Sequence, residues 1–270
     1  MRLKKYDVFG LPGDVRPVLL AMKKQTHFER DPQSPDFYLV VGGDGAILAE
    51  KNRPEMYLKP ILLVHYRRDC LKSLGFTADI GIKDLSKALN DIKSGEYTLQ
   101  GEQLLKCNIN QREEGIALNE VTVKPSDPAG TLLFRVAVKN KERRMELLAP
   151  KCDGILVSTK YGSPAWNLSY GGPISLDLPL MSITFIGSHI KHEHYVCDFN
   201  DTVSIHILHD SIVILDNDTH KATSGSMIDI EKSDKRVTFI HTKNTSEELS
   251  SKVIRQIEFD SKNVGEKDAD

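Results

Sequence analysis

The feature that most constrains this chain is a change of hydrophobic pattern near residue 95. Before it, short apolar runs alternate with helical patterns. Phe37 to Val41, entered through Pro35 and Asp36 and broken by Gly42, reads as a buried strand. Ala46 to Lys51 holds helix formers closed by Pro54, and Pro60 opens a second apolar run, Ile61 to Tyr66, suited to a parallel strand. Leu85, Ala88, Leu89 and Ile92 fall at helical spacing with Gly95 just past the end, which predicts a helix from about Asp84 to Ser94. Beyond Tyr97 the pattern turns to strands: Leu104 to Ile109, Glu120 to Val123, Leu132 to Lys139, Ile155 to Ser158, Met181 to Ile186, Val203 to Leu208, Ile212 to Leu215, Met227 to Ile230 and Val237 to His241. Turn-forming clusters separate them, among them Lys124 to Gly130, Gly171-Gly172-Pro173 and Asp216-Asn217-Asp218. A helical pattern returns over Ser246 to Phe259. The region before the glycines at 42–45 is short, which implies a trimmed first α/β unit.

Composition narrows the function classes. At 270 residues with 40% hydrophobic and 27% charged residues, the chain is too apolar for a disordered protein and long enough for two domains. Lys plus Arg number 36 against 38 for Asp plus Glu, so no global positive field attracts nucleic acid or anionic lipid. No apolar run reaches the roughly 18 to 20 residues of a membrane span, and Met1 to Gly10 is charged rather than signal-like, so a cytoplasmic protein is expected. Cys70, Cys107, Cys152 and Cys197 make no Cys-x-x-Cys pair and are expected to be reduced, mostly buried thiols.

Three segments could carry chemistry. Gly42-Gly43-Asp44-Gly45 joins a buried strand to a helix, a turn where backbone N–H groups approach an anion closely. A carboxylate set among those glycines repels phosphate unless it handles a proton or a metal ion, which makes Asp44 a candidate general base. A plain tight turn with Asp44 as a cap is the other reading of the same residues. Asn119-Glu120 enters the strand Val121 to Val123; both side chains reach one ligand only if the chain bends there, and taken alone the pair also suits a surface turn. The strand from Asp153 to Thr159 runs into a small, hydroxyl-rich loop, Tyr161-Gly162-Ser163-Pro164-Ala165-Trp166-Asn167-Leu168-Ser169. It carries the chain's one Trp, which suits a shelf for a flat base or a core position beside a turn.

In their order, these motifs resemble the NAD kinase family. Gly42-Gly43-Asp44-Gly45 looks like the family's Gly-Gly-Asp-Gly-Thr, Leu74-Gly75-Phe76-Thr77 its Leu-Gly-Phe-Leu-Thr, and Asn119-Glu120 its Asn-Glu pair. Asp153-Gly154, Ser158-Thr159 and Gly162 to Trp166 are similar to Asp-Gly followed by Ser-Thr-Pro-x-Gly-Ser-Thr-Ala-Tyr. Gly171-Gly172-Pro173 continues the match, and Ile183 to His189 resembles Leu-Thr-Pro-Ile-x-Pro-His. The resemblance spans about residues 36 to 260. It implies an α/β Rossmann-like N-terminal domain, residues 1–95 with 245–270, whose C-terminal helix returns to it, and a β-rich NAD-binding domain over 96–244, with the active site between them. It also implies transfer of a phosphoryl group from ATP or polyphosphate, with Mg2+, to the 2'-hydroxyl of the adenosine ribose of NAD. Asp44 would activate that hydroxyl while Gly42, Gly43 and Gly45 face the donor phosphates. Asn119 and Glu120 would hold the ribose or adenine, Asp153 would lie near the nicotinamide, and Tyr161, Pro164, Ala165, Trp166 and Ser169 would surround the nucleotide. The partners implied are NAD, ATP and further copies of the chain in a homodimer or homotetramer, with no nucleic acid, no membrane and no resident metal site.

The chain departs from the family pattern at Ala46, Pro164 and Trp166, where the family has Thr, Thr and Tyr. The usual Gly-Ile-Asn-x-Gly turn is replaced by a segment with His65, Arg67 and Arg68. These changes keep open a non-catalytic NAD(P)-binding or regulatory member of the fold, and more remotely a lipid kinase sharing the glycine turn. His189, His192 and His194 form a His-x-x-His-x-His cluster without the further ligands of a zinc site; His189 has the family counterpart.

Overall fold

The computed structural model describes residues 3–65, 80–176 and 178–244, with Ser251 and Ile254 beyond them, and only the backbone of Asp44. Arg67, Arg68, Cys70, the Leu74 to Thr77 motif and all but two residues of the expected 246–259 helix lie outside the described residues. The chain forms two compact units, Met1–Glu102 with Val237–Asp270, and Gln103–Arg236.

In the first unit β1 (Lys5–Gly10), α1 (Pro12–Met22), β2 (Glu29–Arg30), β3 (Phe37–Val41), α2 (Asp44–Glu50), β4 (Ile61–His65), β5 (Ile80–Gly81) and α3 (Leu85–Ser94) follow one another. The strands pair in parallel in the order β2, β1, β3, β4, β5. Every residue of β3 and β4 is buried, as the two unbroken apolar runs require of central parallel strands. The expectation of a trimmed first unit is corrected: β1 and α1 form a complete strand and helix before the glycine turn. They were hidden because Lys5 and Asp7 interrupt the strand's apolar run and because α1 contains Pro17. Pro12, in the first turn, has no helical N–H to lose, and the buried Val18 and Met22, four apart, hold the helix on the sheet.

The α3 helix ends on Gly95 at φ +83°, and the Glu96 N–H reaches back to the Asp91 carbonyl in a Schellman-type closure. The buried Asp91 carboxylate accepts from the Asn244 backbone N–H at 3.0 Å and its side-chain Nδ2 at 2.7 Å, tying residue 244 to this helix.

The second unit takes in most of β6 (Tyr97–Ile109), then β7 (Arg112–Ala117), β8 (Glu120–Pro125), β9 (Phe134–Lys139), β10 (Arg144–Leu147), β11 (Gly154–Ser158), α4 (Trp166–Ser169), β12 (Leu180–Ile186), β13 (Tyr195–Asp198), β14 (Thr202–Ile207), β15 (Ser211–Leu215), β16 (Asp218–Ala222) and the start of β17 (Met227–Thr242). One antiparallel sheet has the order β13, β12, β11, β8, β15, β16. In the other, β10, β9, β14 and β17 pair antiparallel, and β6 joins β17 to β7. Their apolar faces meet in one core, Val121, Val157, Ile183 and Val213 from the first sheet and Val138, Val203, Ile205 and Ile230 from the second.

Here the structure adds four strands, β7, β10, β13 and β16, that the apolar pattern did not reveal; all are charged strands at the margins of their sheets. It also fuses the two expected segments, Met227 to Ile230 and Val237 to His241, into one strand that continues through the charged run Glu231 to Arg236. Among the described residues no helix is long and apolar enough to cross a membrane.

Because side chains alternate along a strand, the core residues of the first sheet leave Glu120 and Thr122 on β8, Ser158 on β11, and Ser182 and Thr184 on β12 on its opposite face. All five are buried. A buried polar sheet face needs partners above it, and that requirement locates the site.

Candidate functional site

In the first unit the glycine turn follows β3 directly. Gly42 adopts φ +149°, and a Cβ there would meet the Ala46 Cβ at 2.6 Å, so the fold itself demands glycine. Gly43 is the N-cap of α2 and Asp44 its first helical residue, with no side-chain capping bond from Gly43. Gly45 differs from Gly42: nothing lies within 4 Å of a Cβ built on it, and its backbone is ordinary helix. Nothing in the described fold excludes a side chain at that position.

In the second unit Asn119 and Glu120 sit at the tight turn between β7 and β8. The bend expected from Gly115 and Pro125 has a different main cause. The Asp216 carboxylate accepts three consecutive backbone N–H groups, Leu118 at 2.8 Å, Asn119 at 2.9 Å and Glu120 at 3.1 Å. Asp216 stands at φ +54° in the β15–β16 hairpin and donates its own N–H to the Glu120 carbonyl at 3.0 Å. Side chains of Asp tolerate this left-handed turn conformation, so one residue both reverses a hairpin and pins the opposite turn. Glu120 then stands directly across from Ser158 in the β8–β11 register.

The segment after β11 folds back on this turn. Thr159 donates its N–H to the Asn119 carbonyl at 2.8 Å and its hydroxyl to the Leu118 carbonyl at 2.7 Å, while the same hydroxyl accepts the Gly162 N–H at 2.9 Å. Gly162 lies flat on Asn119: a Cβ would stand 2.5 Å from its carbonyl carbon, 2.6 Å from its Cα and closer still to its oxygen.

Asn167, fully buried in α4, is the second anchor. Its Nδ2 donates to the Ser163 carbonyl at 2.9 Å and the Pro173 carbonyl at 3.0 Å, and its Oδ1 accepts the Thr184 hydroxyl at 2.6 Å. Gly172 leaves space for this cluster, since a Cβ there would lie 2.5 Å from Asn167 Cγ. The three bonds, at about 1 kcal/mol net each, fasten a four-residue helix that could not persist alone.

On this frame Trp166 is half-buried, its ring 5.8 Å from that of Tyr170, and the Lys124 ammonium stands 4.7 Å over the indole. It belongs to the loop surface and is outside the apolar core, so the core reading does not hold. Ala165 is the N-cap of α4, Tyr161 is half-buried, Pro164 is buried and Ser169 is exposed. Among the described residues, Asn119 Oδ1, Thr122 Oγ1 and Ser158 Oγ are buried with no hydrogen-bond partner. Orphan polar atoms clustered at one turn and on one strand pair suit a ligand or ordered water.

Asp153 precedes β11, donates its N–H to the Ile186 carbonyl at 2.8 Å, and lays its carboxylate against Gly187, which takes φ +58°. His189 Nε2 is 3.6 Å from Asp153 Oδ1. Next to it, burial pushes the Cys152 thiol up to about 11, with the Asp153 charge adding in the same direction. His192 and His194 lie in an irregular segment before β13. Among the described residues no three His, Cys, Asp or Glu side chains are grouped to hold a metal ion.

Reading the sequence missed the residues that build this surface. Asp216 appeared only as a turn former, because its partners are 96 to 98 positions away and leave no local trace. Asn167 carried a signal in retrospect, an amide next to the Trp and four residues before a Gly-Gly pair.

No protein-family model matches the chain. An NAD kinase from Methanopyrus kandleri is 36% identical over 139 residues, 52% of this chain and 47% of that protein, so the matched stretch spans about half of its length. An NAD kinase from Clostridium botulinum is 27% identical over 217 residues, 77% of this chain and 74% of the relative. Among solved structures, an NAD kinase from Archaeoglobus fulgidus in complex with ATP superposes with a TM-score of 0.73 at 22% identity, covering 93% of this chain and 98% of that one. Yeast NADH kinase complexed with NADH gives 0.72 at 14% identity, covering 90% and 84%. In its ordered motifs the chain is similar to these NAD kinases, and its fold is that of the solved ones.

Proposed function

We propose that the protein is an NAD kinase that transfers a phosphoryl group from ATP to the 2'-hydroxyl of the adenosine ribose of NAD. The observation that carries the reading is the Asn119-Glu120 turn, pinned by Asp216 and roofed by the Gly162 to Trp166 loop, with Asn119 Oδ1 and Ser158 Oγ buried and unpartnered. An adenosine supplies what those atoms lack: ring nitrogens, an amino group and ribose hydroxyls in one rigid unit. Tyr161, Pro164, Ala165, Trp166 and Ser169 border the nucleotide in this reading, and Asp153 faces its nicotinamide end. The relatives named NAD kinase and the solved neighbour holding ATP support the same assignment.

Gly42, Gly43 and Gly45 form the donor-phosphate side, and the free space over Gly45 is a place a phosphate can approach where a Cβ would stand. Asp44 takes the proton of the 2'-hydroxyl as its oxygen attacks the terminal phosphorus and the bond to the bridging oxygen of ADP breaks. Asp44, the one carboxylate residue of the turn, would hold Mg2+ beside the donor phosphates. When bound, that ion neutralises charge on the transferring phosphoryl group. We place the protein in the cytoplasm as a homodimer or homotetramer.

The test is NADP formation from NAD, Mg2+ and ATP, with polyphosphate in a parallel arm, followed by an NADP-specific dehydrogenase. The expected result is NADP with ATP and its loss in Asp44→Asn, with folding and NAD binding retained. Full turnover in that variant would remove Asp44 from its role. NAD binding without NADP from either donor would select the non-catalytic reading.

A further inference from the structure

The pairing of β12 with β13 runs from Leu180↔Asp198 to Ile183↔Tyr195 and stops. Two residues further along β12, the Phe185 N–H is met by an imidazole instead of a strand: it donates to His194 Nδ1 at 3.3 Å. The other ring nitrogen, Nε2, is 3.0 Å from the Tyr170 carbonyl, at the C-cap of α4. A carbonyl only accepts and a backbone N–H only donates, so both contacts specify one state, neutral with the proton on Nε2. Asn167 anchors the helix from its interior, and His194 holds its last carbonyl.

We propose that His194 is a positioning residue, a latch that joins the C-terminal end of α4 to β12 through its neutral imidazole and thereby sets the stance of Trp166 on the loop surface. The titratable and charged groups around it are Lys191, His192, Glu193 and Tyr195 in its own segment, Tyr170 on α4, and the Asp153–His189 pair beyond the end of β12; β12 itself carries none. His192 packs its ring 5.0 Å from Phe185 while its Nδ1 is engaged with the Glu193 carbonyl, so it does not reach α4. The consequence for substrate rests on the nucleotide reading of Trp166; the latch does not.

Trp166 is the chain's only Trp, so its fluorescence reports this helix directly. The full-length protein is compared with His194→Ala, with His194→Gln, which keeps one acceptor and one donor, and with His192→Gln. Acrylamide quenching of Trp166 is expected to rise about twofold in His194→Ala and to match the parent in His194→Gln. His192→Gln is expected to quench as the parent does. With NAD, the Ala variant should show KM raised about tenfold and kcat within about twofold of the parent. Parental quenching in His194→Ala, or equal loss in the Gln and Ala variants, would overturn the latch. A changed Trp166 signal with an unchanged KM would uphold the latch and overturn the nucleotide role of Trp166.

Discussion

Replacing Gly162 by Ala tests whether the loop must lie on the Asn119 backbone for the surface to exist. The φ of Gly162 lies outside the left-handed region, so strain in its own backbone is not the issue; space is. Ordinary contact begins near 3.4 Å, and the added Cβ would start 2.5 Å from the Asn119 carbonyl carbon. Loop and turn must therefore separate by about 1 Å, and the struck atoms are backbone held by Asp216, with no rotamer to escape into. That separation stretches the Thr159 bonds to Leu118 and Asn119 as well. Overpacking of this kind costs roughly 1 to 3 kcal/mol, and the rigid partners place this site at the upper end. Alanine's lower unfolded-state entropy returns only about 0.5 to 1 kcal/mol. A net loss of about 2 kcal/mol corresponds to a fall in Tm of roughly 4 to 8 °C. Thermal unfolding by circular dichroism measures it, with Gly13→Ala as control because nothing lies within 4 Å of a Cβ there. In the kinase assay KM for NAD should rise more than kcat falls. If Gly162→Ala melts with the parent and keeps its KM, the close approach is not what shapes the turn.

Gly45→Ala should leave stability unchanged or raise it by up to about 1 kcal/mol, since it fills open space in a helical turn, yet lower ATP turnover at least tenfold; parental turnover would mean no phosphate comes close there. Asp216→Asn keeps an oxygen for Asn119 and Glu120 but turns an amide towards the Leu118 N–H, with an expected loss of about 1 to 2 kcal/mol and a raised KM for NAD; calorimetry and kinetics showing neither would remove the pin. Burial pushes the Cys107 and Cys197 thiols up to about 12 and Cys152 up to about 11. Folded values above unfolded ones mean stability is whole below the ordinary thiol range and drains away as pH rises from about 8.5 towards 11 to 12, so Tm should fall across that window and less steeply in Cys107→Ala; an equal slope would exclude that thiol as a contributor.

The elements legible in the sequence were those whose burial is one-sided or complete. The runs of β3 and β4 are apolar at every position but the last of β4, and α3 shows both its buried stripe and its glycine stop. Marginal strands such as β10, with Arg144 and Glu146 exposed, bury too little to leave a period. The site divides in the same way. Gly42 to Gly45 and Asn119-Glu120 were visible as short motifs, and their order suggested a family. Asp216, Asn167 and His194 each make contacts 17 to 98 residues distant in sequence, and no local pattern encodes those.

The separation between Asp216 and the turn it pins also bears on how the protein is made. Synthesis runs from the N-terminus, so Leu118, Asn119 and Glu120 leave the ribosome nearly a hundred residues ahead of the carboxylate that collects their N–H groups. β7 and β8 can pair during that interval, but the turn between them stays without its counter-charge until the β15–β16 hairpin emerges. The surface around the Asn119-Glu120 turn is therefore completed late in translation, and a nascent chain halted before residue 216 has the motif and lacks the geometry.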